Sequence, residues 1–498
     1  MNVNPITRLD YPDPDVIRVE DTYYMVSTTM HFMPGCEILQ SFDLVHWEHV
    51  TYVYETLDHT DAQQLKSGQN IYGQGMWAAS LRYHEGRFYI CFVANDTRKT
   101  YLYTSEKIDG PWKKQLIEGF YHDGSLLFDE DGRNYIVYGN DEIWITELNE
   151  DLTAPKKDGL HRLLVSDHKN PELGYEGSHI QKINGYYYIF LVHSLRDRWM
   201  RTEACFYSDS LEGEFTGGDV LCDDRGYCGQ GVAQGGIVDT PDGKWYAMLF
   251  QDSGAVGRIP ILLPVTWKDH FPFFGQNGHV PEEIEVHSTR PGYIYQPLVG
   301  SDDFCNGLLP RWQFNHDPDP RYYHLDALQG TYTITTREVC TELTQAVNTL
   351  TQRMSYPSCA AEVTVDASAL KEGDVAGLCA LQSCYAAVGI TKHHGKYEVL
   401  MLDKKEDGIL DMTGGTVVES HQMDFRLEAD FCNMKDEARC YYRVNKGDWL
   451  PIGTVHKLYF KLDHFTGCRF GLFCYAAEET GGSACFRDFK YYDVDEIS

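Results

Sequence analysis

A chain of 498 residues is too long for a single core and divides into two or three domains. Its hydrophobic fraction of 43% is that of a soluble globular protein. A net charge of −31 argues against nucleic acid and against an anionic membrane surface, and fits a neutral partner. The segment MNVNPITRLDYPDPD at the start has no basic stretch and no apolar stretch, so no signal peptide is expected. Without a run of about 18 apolar residues, no membrane span is expected either. The 15 cysteines form no CxxC pair and no zinc-type spacing with histidine. Such unpatterned thiols fit a reducing compartment, so a cytoplasmic protein is expected.

The first structured phrase is YPDPDVIRVEDTYYMVST at Tyr11–Thr28. It combines an acidic turn, an apolar run, a second turn and an aromatic-rich strand, which is a hairpin pattern. The pattern returns at SLRYHEGRFYICF from Ser80, SLLFDEDGRNYIVY from Ser125, SHIQKINGYYYIFL from Ser178 and GIVDTPDGKWYAML from Gly236. Five such hairpins tens of residues apart predict a five-bladed β-propeller over residues 1–298. The polar, Gly- and Gln-rich stretch 58–75 reads as a long loop on a pocket rim. Asp129, Glu130 and Asp131 fall inside the third hairpin turn and read as a solvated turn rather than a calcium loop.

Near QPLVGSDD, 296–303, the phrase stops. Residues 302–498 still read as strands, for example AEVTVD at 361–366, which alternates strictly. Other candidates are 332–336, 386–391, 397–402, 438–444, 458–462 and 469–475. Many short strands between Gly, Asp and Asn turns predict a β-sandwich of the jelly-roll type, so the whole chain is all-β.

Aligning the five phrases on Asp15, Ser80, Ser125, Ser178 and Gly236 gives equivalent positions two residues earlier. These are Asp13, Ala78, Asp123, Glu176 and Gln234. The first strand of each blade lines a propeller's channel, so the three acids are expected to face one pocket. Where the second blade offers only Ala78, Trp77 is the expected contributor. Opposed carboxyls in an aromatic-walled pocket suit glycoside hydrolysis, with one acid protonating the leaving oxygen and another activating water. Glu176, between Tyr175 and Gly177, is expected in an apolar setting that suits a general acid. Asp13, framed by Pro12 and Pro14, suits a fixed base, and Asp123 would keep Glu176 protonated by like-charge repulsion. His122, beside Asp123, reads as a structural histidine with its hydrogen bonds satisfied.

These motifs together resemble glycoside hydrolase family 43. They are NPITRLDYPDPDVIRVEDTYYMVST, FMPGCEILQSFDLVHW from Phe32, MWAASLRY, HDGSLLFDEDG, YEGSHIQKINGYYY and GRIPILLPVTW, with NTLTQR and FRDFKYY near the C-terminus. The resemblance implies an inverting propeller enzyme acting on xylose- and arabinose-containing polymers, with a concanavalin-like sandwich that helps close the pocket. It implies Asp13 as base, Glu176 as acid and Asp123 as the residue that tunes the acid. Trp77, Arg258, Gln234 and Phe32 become the expected sugar-binding residues. The family often carries an axial histidine in the fifth blade near a bound water or calcium. Here GVAQGGIVDT has Gln234 instead, so no calcium, other metal or cofactor is expected. A family sandwich can also send an aromatic loop residue into the pocket, and the sequence does not single one out. The expected partner is an oligosaccharide, with a homo-oligomer left open. The expected activity is exo-acting release of terminal β-D-xylose or α-L-arabinofuranose. An endo-acting arabinanase and a non-catalytic sugar-binding propeller are the alternatives.

Overall fold

The computed structural model describes residues 2–493; residues 1 and 494–498, at the outer ends of the two expected domains, lie outside the described residues. The described elements are strands and four three-residue 3-10 turns. No helix among them is long and apolar enough to cross a membrane.

Five four-stranded antiparallel sheets follow one another as blades. Their first strands are Asp15–Val19, Met76–His84, Ser125–Phe128, Glu176–Ile183 and Val232–Asp239. Each first strand is an edge of its sheet and packs against the first strands of both neighbours, the fifth meeting the first to close the ring. The near-continuous apolar strands follow from this, because a blade is covered on both faces. In Tyr186–Ser194, for example, every residue after the first is buried. Separate hydrophobic cores fill the five gaps between adjacent blades. Each fully buried Leu, Ile or Phe there contributes about 1.5–3 kcal/mol.

The phrase starts tie the blades to each other. Asp15 Oδ2 accepts the Leu81 N–H at 2.7 Å, Ser80 Oγ accepts Leu126 N–H at 3.1 Å, and Ser125 Oγ accepts Ile180 N–H at 3.0 Å. A small polar residue at that position supplies the acceptor without filling the axis. Arg82 then plugs the channel. It donates to Asp15 Oδ2 at 2.8 Å, to the Leu126 carbonyl at 2.8 Å, to Ser125 Oγ at 2.7 Å and to the Ile180 carbonyl at 3.2 Å, reaching blades one, three and four from blade two. The third hairpin turn is solvated at Glu130 and Asp131 but not at Asp129. Asp129 is buried and holds Lys182 Nζ at 2.6 Å and the Tyr187 hydroxyl at 2.5 Å, because it faces the fourth blade rather than water.

The second unit packs an eight-stranded sheet on a seven-stranded sheet. Its core is Ala-, Val- and Leu-rich, with Phe425, Phe470 and Phe486 fully buried. Strands form at Thr331–Thr335, Ser358–Asp366, Ala386–His393, Lys396–Lys404, Glu437–Arg443 and Arg469–Tyr475. The apolar run 458–462 is not a strand. The edge strand ends at Lys457, and the chain leaves the sheet with Leu462 exposed to carry a loop toward the propeller. Phe32–Met33, from the first blade's connection, joins the eight-stranded sheet beside Gln313–Asn315.

The stretch 58–75 is likewise built into this junction. Asp317 N–H donates to the Gln63 carbonyl at 2.8 Å, Ile71 N–H to His316 Nε2 at 2.9 Å, and the Tyr72 hydroxyl to the Thr344 carbonyl at 2.6 Å. His31, His316 and His464 surround Tyr72, and burial pushes all three imidazoles below their ordinary range. Deeper in the junction, Arg353 of the sandwich meets Glu37 of the first blade at 2.8 Å. Burial would raise the Glu37 carboxyl, but Arg353 and His49 bring it down to about 2.

Removing one member of a buried ion pair strands the other. Arg353→Leu is therefore expected to cost roughly 3–5 kcal/mol in denaturant unfolding, and adding Glu37→Leu is expected to restore much of it. A single-variant loss below about 1 kcal/mol would mean the pair behaves as an exposed one.

Candidate active site

At the rim of the channel the backbone leaves the ordinary regions at equivalent places. Asp13, Asp123 and Gln234 have φ of 52°, 48° and 66°. In the fourth blade the left-handed residue is Gly177, immediately after Glu176, with φ 65°. Non-glycine residues pay about 1–3 kcal/mol for such conformations, and here three in-phase positions pay it. Bulges in the second, fourth and fifth first strands accompany them, between Met76 and Ala79, Glu176 and His179, and Ala233 and Gly236. A bulge re-aims side chains at a sheet edge, which turns Trp77 and Glu176 toward the mouth.

Asp13 is buried and held at both oxygens. Thr28 Oγ1 donates to Oδ2 at 2.6 Å, and Arg258 Nη1 lies 3.0 Å from Oδ1. Asp123 Oδ2 accepts the Gly177 N–H at 3.0 Å, which ties the third blade to the strand that carries Glu176. Glu176 Oε2 accepts from Asn140 Nδ2 at 2.7 Å. Burial pushes the Asp123 carboxyl up to about 6; His122 opposes this, while Glu176 and Asp13 add to it. The three acids thus share one electrostatic environment although they come from three blades.

Arg258 comes from the fifth blade and Trp77 from the second. Over both lies Phe465, which the sandwich supplies from the loop after residue 462. Its ring is 4.4 Å from the Arg258 guanidinium carbon and 5.8 Å, centroid to centroid, from Trp77. A second guanidinium, Arg201, lies 5.2 Å from the Phe250 ring that also faces Arg258 at 5.4 Å. Asp252 anchors it at 2.8 Å. Burial disfavours its charge, and Asp252, Glu176 and Asp13 outweigh that and raise its proton affinity. Trp199, 43% exposed, stands at the outer edge 5.2 Å from Arg201.

Two expected sugar-binding residues are placed differently. Phe32 is fully buried at the domain junction, with the Arg469 guanidinium stacked 3.5 Å from its ring, so it has no free face for a sugar. Gln234 reaches the ring but packs on Gly177, where even a Cβ would come within 2.6 Å of its Cγ. Its N–H donates to the buried Glu203 carboxylate at 2.7 Å. Glu176 is not in an apolar setting: Tyr175 turns away onto His193 and Phe206, and Asn140 and His122 face the acid.

His122 is also not a satisfied structural histidine. Among the described residues its Nε2 has no close hydrogen-bond partner and lies 3.5 Å from both Asp123 and Glu176. Burial works against a charged ring, but Asp123, Glu176 and Asp13 raise it to about 9. One ligand-type atom from each of His122, Asp123 and Glu176 falls within 4.8 Å of the others. Asp123 and Glu176 draw a proton to that ring, so the cluster is equipped to handle protons. Asn140, Phe465 and Arg201 also escaped the sequence reading. Asn140 ends a strand before an Asp-containing turn, which was a usable signal; Phe465 sits in a loop with no pattern at all.

Known proteins resemble both parts of this chain. Residues 3–272 match the family described as glycosyl hydrolases family 43, and residues 301–492 match the beta xylosidase C-terminal concanavalin A-like domain. A beta-xylosidase of Formosa agariphila is 26% identical, the alignment covering 99% of this chain and 89% of that protein. A xylosidase/arabinosidase of Butyrivibrio fibrisolvens is 23% identical over 99% of both chains. Among solved structures, a bifunctional GH43-CE protein of Bacteroides eggerthii superimposes with a TM-score of 0.92 at 42% identity, covering 99% of this chain and 64% of that one.

Phe465→Ala removes a ring from above Arg258 and Trp77. A cation–π contact of this kind is worth about 0.5–2 kcal/mol, so kcat/KM is expected to fall roughly 2- to 30-fold in steady-state assays. An unchanged kcat/KM would show that the sandwich does not act on the pocket.

Proposed function

The chain belongs to glycosyl hydrolases family 43, and on that premise we propose an exo-acting, inverting glycosidase that releases terminal β-D-xylose, α-L-arabinofuranose or both. Its substrates are xylo-oligosaccharides, xylan or arabinoxylan. The observation that carries the reading is the convergence of Asp13, Asp123 and Glu176 under a sandwich residue, Phe465. A wall supplied by a second domain favours a pocket for a chain end over the open groove that an endo-acting arabinanase needs. The full-length likeness to a beta-xylosidase and to a xylosidase/arabinosidase supports the two sugars.

In this mechanism Asp13 is the general base toward water, oriented by Thr28 and Arg258. Glu176 protonates the leaving oxygen, oriented by Asn140. Asp123 becomes negative above about pH 6 and opposes a second negative charge on Glu176. Arg258 and Trp77, with Phe465 above them, shape the sugar site and exclude water from one side. The polar ring position of the fifth blade is closed by Gln234, so turnover runs without calcium. The 15 free thiols fit a reducing cytoplasmic setting.

Asp13→Ala is expected to abolish turnover on every substrate, because each leaving group still needs an activated water. Glu176→Ala is expected to spare aryl glycosides with good leaving groups far more than xylobiose. Asp123→Asn is expected to move the basic limb of the pH profile downward, since a charge that holds the Glu176 proton is gone. NMR of the first product is expected to show the inverted anomer; a retained anomer would make Asp13 a nucleophile, with carboxyls about 5–5.5 Å apart instead of roughly 6.5–9.5 Å. Parallel assays on nitrophenyl β-xyloside, nitrophenyl α-arabinofuranoside and linear arabinan separate the readings: hydrolysis of arabinan alone would establish the endo-acting one, and no hydrolysis at all a binding propeller. Activity is expected to survive EDTA, and a loss restored by calcium would overturn that expectation.

A further inference from the structure

One titratable group at the mouth has no part in the acid–base scheme above. His122 precedes Asp123 in the third blade, and its carbonyl accepts the Gly139 N–H at 3.1 Å, which fixes its backbone. Its ring stands edge-on to Trp77 at 5.8 Å between centroids. Nε2 lies 3.5 Å from Asp123 Oδ2 and 3.5 Å from Glu176 Oε2, and among the described residues it has no other partner although the atom is sealed from solvent.

We propose that His122 is a positioning residue of the acid pair: its imidazolium bridges Asp123 and Glu176, holds the two carboxyls in register and sets the upper pH at which Glu176 keeps its proton. This rests on Glu176 being the proton donor. The charges around the ring decide the matter. Asp123 faces it from its own segment, Glu176 from the fourth blade and Asp13 from the first. The cations nearby are already engaged, Arg258 with Asp13 at 3.0 Å and Arg201 with Asp252 at 2.8 Å. Among the described residues, His122 is therefore the cation left for Asp123 and Glu176. An imidazole among acids holds its own proton, and burial alone does not strip it, so the ring keeps its charge above the ordinary imidazole range.

With His122 charged, Asp123 ionised and Glu176 protonated, the cluster is neutral, which a largely desolvated site requires. When Glu176 gives its proton to the leaving oxygen, its new carboxylate already has a cation at 3.5 Å. The proton that leaves is the Glu176 proton, and His122 keeps its own; no further donor is needed. His122 thus stabilises the deprotonated acid while Asp123 destabilises it, and the two neighbours act on Glu176 with opposite sign.

The sign gives a test that a merely structural histidine would not pass. His122→Gln removes a positive charge beside Glu176, so the basic limb of kcat/KM is expected to move up by about one pH unit or more, opposite to Asp123→Asn. On xylobiose, with its poor leaving group, kcat is expected to fall about tenfold with KM little changed. On an aryl xyloside with a good leaving group the fall is expected to be smaller. A basic limb that stays put or moves down, or equal losses on both substrates, would overturn the proposal. If Glu176→Ala itself shows no dependence on the leaving group, the acid assignment has failed instead. Should His122→Gln fold poorly, NMR of the wild-type protein with labelled histidines decides: His122 is expected to remain an imidazolium at pH 8, and a neutral ring at pH 7 would overturn the proposal.

Discussion

One buried carboxylate, Asp10, holds the two halves of the pocket to each other. Its Oδ1 accepts the Arg258 N–H at 2.7 Å and its Oδ2 accepts the Gly467 N–H at 2.8 Å. Its carbonyl accepts Arg353 Nε at 2.9 Å. The first contact fixes the residue that grips Asp13, and the second fixes the sandwich loop two residues after Phe465. Both neighbours are tight. A Cβ at Gly257 would come within 2.3 Å of Asp10 Oδ1, and one at Gly467 within 2.2 Å of the Val256 carbonyl. Glycine is needed at both positions because backbone has to approach the carboxylate directly. The Cys468 N–H to Ala255 carbonyl bond at 2.8 Å continues the seam. A charged group stripped of water is expensive unless fully used, and Asp10 is used at every oxygen.

The propeller supplies a different kind of constraint. The first strands are locked by side-chain to backbone bonds from Asp15, Ser80 and Ser125, and by Arg82 across the axis. This rigid ring allows left-handed conformations at Asp13 and Asp123 to persist. A flexible rim would relax them and scatter the acids. Strain at the mouth is thus offset by hydrophobic cores in every gap between blades.

Charge at the mouth follows from the same layout. Asp13, Asp123 and Glu176 converge in a chain of net charge −31, and cations from three blades answer them. Arg258 pairs with Asp13, Arg201 stands behind with Asp252, and His122 lies between the other two acids. Each acid therefore meets a different neighbour, and different neighbours are what give chemically identical groups different roles.

The sequence by itself determined the repeat and what the repeat implies. A side chain alternates with period two along a strand, so in-phase phrases place Asp13, Asp123 and Glu176 at one level of one ring without any knowledge of distances. The strictly alternating run 361–366 marked a sandwich strand for the same reason. Local pattern misled where an apolar run served another purpose: 458–462 looks like a strand and is the stem of the Phe465 loop, and Phe32 looks like a pocket aromatic and is a junction residue under Arg469. Tertiary structure alone decided that Phe465 meets Arg258, that Asn140 holds Glu176, and that His122 lies between two carboxyls. These partners stand 36 to 207 residues apart in the chain or, like His122 and Asp123, gain meaning only from a third residue on another blade. Hydrogen bonds and charge act through space, so no spacing along the chain encodes them; the closed ring and the docked sandwich bring them within reach.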